Sequence, residues 1–317
     1  MSPRRSAFIT GTLAAVALPH AAGAQETSYD LVTTKGTIYG TLLLPPGAKR
    51  VVLIVAGSGP TDRDGNNVLG VFAASYLRLA NALAKRGIAS VRYDKRDIAA
   101  SRDSGPAPID LRFDMYVDDA AAWIAKLRGD GRFTAVALAG HSEGSTIGMI
   151  AVQRERVESY VSISGPGFPA DQIMRRQLAP KLAGTPDLAA ANTRILDGLV
   201  RGETTTDVPQ ALMSIYNPPA QAYIISWFRY DPRVEIAKVR APVTIVQGAN
   251  DVQVSVDDAR ALAAAKPSAK LVIIPHMTHV LSDDDATTVA LQTTGVYRDP
   301  NRAIDPTLVQ AVASSFG

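Results

Sequence analysis

The sequence predicts an α/β fold: a mostly parallel sheet of the eight-stranded type, helices on both of its faces, and a helical cap inserted late in the chain. Short apolar, β-prone runs alternate with segments of helical periodicity, as a chain of βαβ units requires. One run, Val51-Val52-Leu53-Ile54-Val55, is apolar throughout, the pattern of a strand buried on both faces. The turn Gly140-His141-Ser142-Glu143-Gly144 joins a strand-like run, Phe133 to Ala139, to a stretch, Ser145 to Ala151, that continues as helix.

Residues 1 to 24 read as a secretory leader. Arg4-Arg5 give a positive start, Phe8 to Leu18 a short apolar stretch, and Ala22-Gly23-Ala24 a small-residue cleavage site, so the mature chain is expected to begin at Gln25. A spanning anchor needs about 20 apolar residues, and Pro19-His20 interrupts this stretch too early. The expected location is therefore periplasmic or secreted, with no membrane span after the leader is removed. Paired arginines followed by Phe8 resemble a twin-arginine leader but also occur in ordinary ones, which leaves the export route open.

The chain has 317 residues, enough beyond the leader for one large domain or a domain carrying an insertion. Formal net charge is +3, and two of those charges, Arg4 and Arg5, belong to the leader. No Lys/Arg run or basic amphipathic helix follows, so nothing implies nucleic acid or an acidic membrane as a partner. Absence of cysteine rules out disulfides, a thiolate metal site and a thiol nucleophile. Oligomeric state has no signature in the sequence.

Taken in order, Tyr29 to Thr33 and Thr37 to Leu44 read as an opening antiparallel hairpin through Lys35-Gly36. After the Val51 to Val55 strand, Tyr76 to Arg86 is helical and stops at Gly87; Ile88 to Tyr93 is a strand; Asp114 to Arg128 is a helix ended by Gly129-Asp130-Gly131. The first part of the core is assigned to residues 25–167, closing with a strand over Val157 to Ile163. Residues 168–235 break the alternation, being helix-like, rich in Ala, Leu, Met and Tyr, and punctuated by Pro180, Pro186, Pro209, Pro218 and Pro219. These are assigned to the cap. The core resumes over 236–317 with a strand at Val243 to Val246, a helix at Val256 to Ala265, a strand at Lys270 to Ile274 and a last helix over Pro306 to Ser315.

A serine at the apex of a strand–turn–helix has its hydroxyl exposed, and flanking glycines are needed where neighbouring backbone passes too close for a Cβ. Ser142 is thus the candidate nucleophile. A serine hydroxyl needs a base within hydrogen-bond reach, and the base an orienting acid. Of the four histidines, His20 lies in the leader and His141 is turned away by the elbow, which suits packing or a supporting hydrogen bond. His279, a few residues past the last strand in a loop able to reach the elbow, is favoured over His276, which suits a structural role. Asp251, at the mouth of the Val243 to Val246 strand, fits the chain order Ser, Asp, His. Its neighbours Asp257 and Asp258 look like first-turn residues of the next helix, where carboxylates favour the positive dipole end.

An acyl-transfer site also needs donors for the oxyanion. The backbone N–H of Glu143 supplies one, and that of Ser58, in Ala56-Gly57-Ser58-Gly59-Pro60 after the buried strand, the other. This glycine-rich loop lacks the G-x-x-x-x-G-K-[ST] and G-x-G-x-x-G patterns, which argues against nucleotide binding.

Together, the elbow, the loop Gly57 to Asn66, the run Arg92-Tyr93-Asp94-Lys95-Arg96 and the Asp251/His279 pair resemble the α/β-hydrolase fold, in particular its bacterial EstD-like carboxylesterase and serine-aminopeptidase-like branches. The resemblance covers nearly all of the mature chain and implies an acyl-serine hydrolase without cofactor, acting on small-molecule esters. One departure is visible: Asp97-Ile98-Ala99-Ala100 stands where such proteins continue with small, Gly-rich residues. That makes substrate preference less transferable than mechanism.

Rival readings remain at this stage. The same triad serves a peptidase, amidase or thioesterase, and a non-catalytic small-molecule binder keeps the same fold. Asp62-Arg63-Asp64-Gly65-Asn66 resembles half a calcium loop but lacks the following Glu, and reads as a turn. Asp283-Asp284-Asp285 reads as a solvated helix start, and no H-E-x-x-H or His/carboxylate cluster argues for a metal. Tyr216, Tyr223, Trp227, Phe228 and Tyr230 are candidates for an acyl pocket, with cap packing as their default role.

Overall fold

The structure, a computed structural model, describes residues 23–317. Of the expected leader only Gly23 and Ala24 fall among them. Ten strands are named in chain order: β1 (Gln25–Ser28), β2 (Leu31–Thr33), β3 (Gly36–Ile38), β4 (Gly40–Leu44), β5 (Arg50–Val55), β6 (Ala89–Tyr93), β7 (Ala135–His141), β8 (Ser159–Ile163), β9 (Val243–Gly248) and β10 (Lys270–Ile274). The α-helices are α1 (Ser75–Ala84), α2 (Phe113–Gly129), α3 (Glu143–Arg154), α4 (Ala170–Leu182), α5 (Pro186–Val200), α6 (Met213–Tyr216), α7 (Pro218–Trp227), α8 (Pro232–Lys238), α9 (Val256–Ala265), α10 (Val289–Thr294) and α11 (Pro306–Ala313). No helix among the described residues is long and apolar enough to cross a membrane.

Eight strands form one sheet in the order β1-β4-β6-β5-β7-β8-β9-β10. Only the β1/β4 and β4/β6 pairs are antiparallel; from β6 to β10 every neighbour runs parallel. Alternation of side chains along β5 explains its unbroken apolar run. Val51, Leu53 and Val55 join a core with α2, α3, α8 and α9, while Val52 and Ile54 join a second core with α1 and α11 on the other face. Each such side chain, fully buried, contributes about 1.5–3 kcal/mol, which is why Val51 to Val55 carry no polar residue on either face.

The chain leaves β5 toward β6 on one side and returns to β7 on the other, so β5 and β7 are adjacent strands whose connections diverge. A crevice opens at the carboxyl ends of such a pair. Val55 lies opposite Gly140 at those ends, which sets the Gly57 loop beside the Ser142 turn.

Between β8 and β9 the chain makes α4 to α8. Leu178, Leu182, Ile195, Leu196, Leu199, Leu212, Tyr216 and Ile224 form a small apolar core of their own there. Aromatic and polar contacts link it to the main body: the Trp227 ring stacks on Phe113 of α2 at 5.9 Å and 6°, and Ser226 Oγ accepts from Phe113 N–H at 2.8 Å.

The expected opening hairpin is divided. Leu31–Thr33 and Gly36–Ile38 pair as a separate two-stranded sheet, and the chain then turns at Tyr39 so that β4 enters the main sheet between β1 and β6. Gly40 permits the turn, since a Cβ there would lie 2.6 Å from the Tyr29 carbonyl oxygen and 2.8 Å from the Trp123 ring. β1, polar and exposed throughout, escapes the sequence reading because it carries no apolar pattern. It is an edge strand, where polar residues are expected.

Asp283, Asp284 and Asp285 do not start a helix. They lie in the loop before α10, whose first turn is capped by the Thr288 hydroxyl accepting from Leu291 N–H at 3.3 Å. Asp283 bridges to Met277 and Asp284 pairs with Arg302, contacts that hold the backbone extended rather than helical.

Candidate active site

Ser142 occupies the junction of β7 and α3 with φ 54° and ψ −125°, a backbone state that non-glycine residues avoid. The flanking glycines make it possible. A Cβ at Gly140 would lie 2.2 Å from the Gly144 carbonyl oxygen, and one at Gly144 would lie 2.3 Å from that of Val55. The turn is also tied to β8, Ser142 N–H donating to the Ile163 carbonyl at 3.0 Å.

Asp251 and His279 come from the loops after β9 and β10, and the structure joins them: His279 Nδ1 lies 2.8 Å from Asp251 Oδ2. Close packing of the two loops depends on Gly248, where a Cβ would stand 1.9 Å from the Met277 carbonyl oxygen. Asp251 Oδ1 accepts from the amides of Gln253 at 2.8 Å and Val254 at 3.0 Å. Burial alone would raise this carboxyl; His279 and the two amides outweigh it and hold the acid below its ordinary value. The carboxylate therefore fixes Nδ1 of His279 as its proton-bearing nitrogen and leaves Nε2 as the basic one. Ser142 and His279 line one cavity of about 230 Å³, with Ser58, Leu69, Val71 and Val280 among its other walls.

Alternative acids and bases are engaged elsewhere. Asp258 closes a capping box with Ser255 and pairs with Arg176 at 2.7 Å, while exposed Asp257 meets Arg260. His276 is 65% exposed and faces Asp285 at 3.0 Å, away from the cavity walls. In the loop that resembles half a calcium site, Asp62 Oδ1 accepts the amides of Asp64 and Asn66, Arg63 pairs with Asp94, and Asp64 with Arg92. These are the contacts of a tight turn.

Ser58 and Glu143 stand where the oxyanion donors are expected. Gly57 abuts Ser142, a Cβ there lying 3.1 Å from Ser142 Cβ. Ser58 N–H has no hydrogen-bond partner among the described residues. Glu143 is the first residue of α3, so its amide is one of those a helix leaves unpaired.

None of the five insertion aromatics lines this cavity. Tyr216 donates to Asn192 at 2.7 Å within the insertion, Tyr230 reaches Asp114, and Phe228 packs on the insertion's core. Tyr223 alone reaches the elbow, its phenol donating to Glu143 Oε1 at 2.6 Å.

Tyr76 was not legible as a site residue, since at the start of an apolar helix it reads as core. Its Oη accepts from Gly57 N–H at 2.9 Å and lies 2.8 Å from His141 Nδ1. His141 Nε2 lies 2.9 Å from the carbonyl oxygen of His279, an acceptor that requires the proton on Nε2 and leaves Nδ1 to accept from Tyr76. Burial, then the neighbouring His279 charge, depress His141 to about 3. It is a neutral strut beneath His279, matching the packing and hydrogen-bonding role expected from its place beside Ser142.

A family profile described as "Alpha/beta hydrolase family" matches residues 51–292. The chain belongs to the alpha/beta hydrolase family. Solved structures share the fold at low identity. The α/β-hydrolase GrgF from Penicillium sp. superposes with a TM-score of 0.57 at 16% identity, over 80% of this chain and 91% of GrgF. Esterase Pf2001 of Pyrococcus furiosus gives 0.55 at 13% identity over 92% of each chain. Est1E of Butyrivibrio proteoclasticus gives 0.53 at 16% identity, over 90% of this hydrolase and 99% of Est1E. No protein of curated function matches this hydrolase in sequence. In the run Asp97 to Ala100, Asp97 and Ala99 adopt φ of 63° and 45°, the left-handed region that glycine would enter without strain.

Proposed function

We propose that this hydrolase cleaves carboxylic esters through an acyl-enzyme on Ser142. His279 Nε2 takes the serine proton as Oγ attacks the carbonyl, then delivers it to the departing alcohol; a water repeats the sequence to free the acid. Asp251 holds the imidazole tautomer and stabilises the imidazolium. Ser58 and Glu143 N–H groups receive the charge that develops on the carbonyl oxygen. The observation that carries this reading is the shared cavity of Ser142 and His279 together with the 2.8 Å contact of His279 to a buried, ionised Asp251.

Ester rather than aminopeptidase chemistry is favoured by the cavity walls. An aminopeptidase needs an acidic or carbonyl-rich pocket for the substrate's amine, and none of the described residues lining this cavity is Asp or Glu. Glu143, the nearest carboxylate in sequence, is occupied by Lys95 at 2.7 Å and Tyr223 at 2.6 Å. The test is turnover of p-nitrophenyl acetate or butyrate and labelling by a fluorophosphonate. Ser142→Ala should abolish both in a folded protein, and retained turnover excludes the mechanism. A matching anilide should react far more slowly than its ester. The proposal extends to export by the leader, with cleavage after Ala24; amino-terminal sequencing of protein from a periplasmic extract should read Gln25 first, and an uncleaved cytoplasmic product rejects it.

A further inference from the structure

Beneath the elbow lies a buried ion pair that the proposed chemistry does not use. Lys95, in the loop just after β6, and the side chain of Glu143 are only 2% and 3% exposed, and Lys95 Nζ lies 2.7 Å from Glu143 Oε2. An isolated pair at this depth is a poor source of stability, because desolvating two charges offsets their attraction. Its placement points to another use. Lys95 Nζ also donates to the Gly57 carbonyl at 2.7 Å, and Tyr116 lies under the ammonium at 4.7 Å from its ring centroid.

In a trans peptide the C=O and the following N–H point in opposite directions. Drawing the Gly57 carbonyl inward to Lys95 therefore turns the Ser58 N–H outward, toward the cavity where Ser142 lies. Gly57 is held at its other end by Tyr76, which accepts its N–H at 2.9 Å. The carboxylate that anchors Lys95 belongs to Glu143, whose own backbone N–H is the second donor. One ammonium thus fixes the plane of one donor peptide and ties it to the residue that carries the other. Tyr223, donating to the remaining Glu143 oxygen at 2.6 Å, brings the helical insertion into the same cluster.

We propose that Lys95 is a positioning residue for the oxyanion hole, acting through the Gly57–Ser58 peptide on one side and Glu143 on the other. The inference rests on the acyl-serine reading. Without the ammonium the peptide loses its orientation, and stabilisation of the tetrahedral intermediate weakens while ground-state binding is untouched.

The test uses Lys95→Met, which keeps the length of the stem, and Lys95→Met/Glu143→Gln, which removes the stranded carboxylate and folds where the single variant fails. Readouts are kcat and KM on p-nitrophenyl butyrate and the Ki of a trifluoromethyl ketone, which adds the serine as a hemiketal with a charged oxygen. Loss of a whole oxyanion donor costs about 10²–10³ in kcat; a misaligned one should cost about ten- to a hundred-fold, with KM unchanged and the ketone weakened in parallel. A double variant that folds with kcat and ketone affinity within about twofold of the parent overturns the proposal. So does a change confined to KM, the signature of altered packing. If Ser142→Ala is inactive in the same assay, either result removes only the role of Lys95; an active Ser142→Ala removes the mechanism itself.

Discussion

Acid should destabilise this hydrolase through His141 before it protonates the buried aspartate of the site. His141 is held neutral to about pH 3 by burial and by the charge of His279, against an ordinary value of 6.5. In the unfolded chain it takes up a proton as pH falls through that ordinary value, while the folded chain refuses it. Folding stability contributed by the neutral form is therefore complete above the unfolded pKa and is lost progressively down to the folded one, at about 1.4 kcal/mol per pH unit. Integrated from about pH 7 to about pH 4.5, the loss is on the order of 2–3 kcal/mol. Asp251 acts in a different window: its lowered pKa contributes stability above the ordinary carboxylate range, lost only as pH falls through its folded value. Asp119, raised to about 6 chiefly by burial, has the opposite sign and grows more favourable toward acid. Asp283, also near 6 through burial and Asp305, behaves likewise.

Those opposing groups cancel when wild type is compared with His141→Gln, whose amide nitrogen can still donate to the His279 carbonyl but which takes up no proton. Urea unfolding followed by circular dichroism at several pH values gives both curves. The stability difference should shift by roughly 2–3 kcal/mol in favour of the variant between about pH 7 and pH 4.5. Parallel curves across that interval refute the assignment of His141 as a buried neutral imidazole.

Other perturbations test the rest of the site. Asp251→Asn should leave the fold intact and lower kcat by about four orders of magnitude, the size of the equivalent change in serine proteases, because His279 then adopts the wrong tautomer; steady-state kinetics decide it. Gly144→Ala places a Cβ 2.3 Å from the Val55 carbonyl oxygen, against backbone rather than a yielding side chain. It should cost more than the ~1–3 kcal/mol of ordinary overpacking, read as a lowered Tm with loss of activity. Across acyl chains from acetate to dodecanoate, preference should rise by about 0.8 kcal/mol per buried methylene only until the 230 Å³ cavity is filled, and then fall.

The parallel part of the fold was legible because its strands are short β-prone runs between helical segments, apolar throughout only in Val51 to Val55 and interrupted elsewhere by buried Ser90, Arg92, Ser162 and Gln247. Ser142, Asp251 and His279 could be proposed from sequence because each follows a strand end, and chain order limits the choices. What escaped lacks a local signature. β1 is polar because its edge faces water, and the hairpin divides at Gly40 because of a ring, Trp123, that the sequence places 83 positions away. Tyr76 reads as helix core, and only the return of the Gly57 loop over its hydroxyl shows otherwise. Lys95 was visible as part of a charged run, but its partner Glu143 lies 48 positions on, and nothing in either neighbourhood announces that both are buried.

The phenol of Tyr223 has a practical consequence for anyone trimming the molecule. The helical stretch between β8 and β9 looks detachable, having its own apolar centre, yet its Tyr223 holds the Glu143 carboxylate beside Ser142 and its Trp227 covers Phe113. Splicing β8 to β9 with a short linker would leave an acidic group half-solvated under the reaction centre and an aromatic face bare to water. A minimal version of this enzyme needs replacements for both before its turnover can be compared with that of the whole.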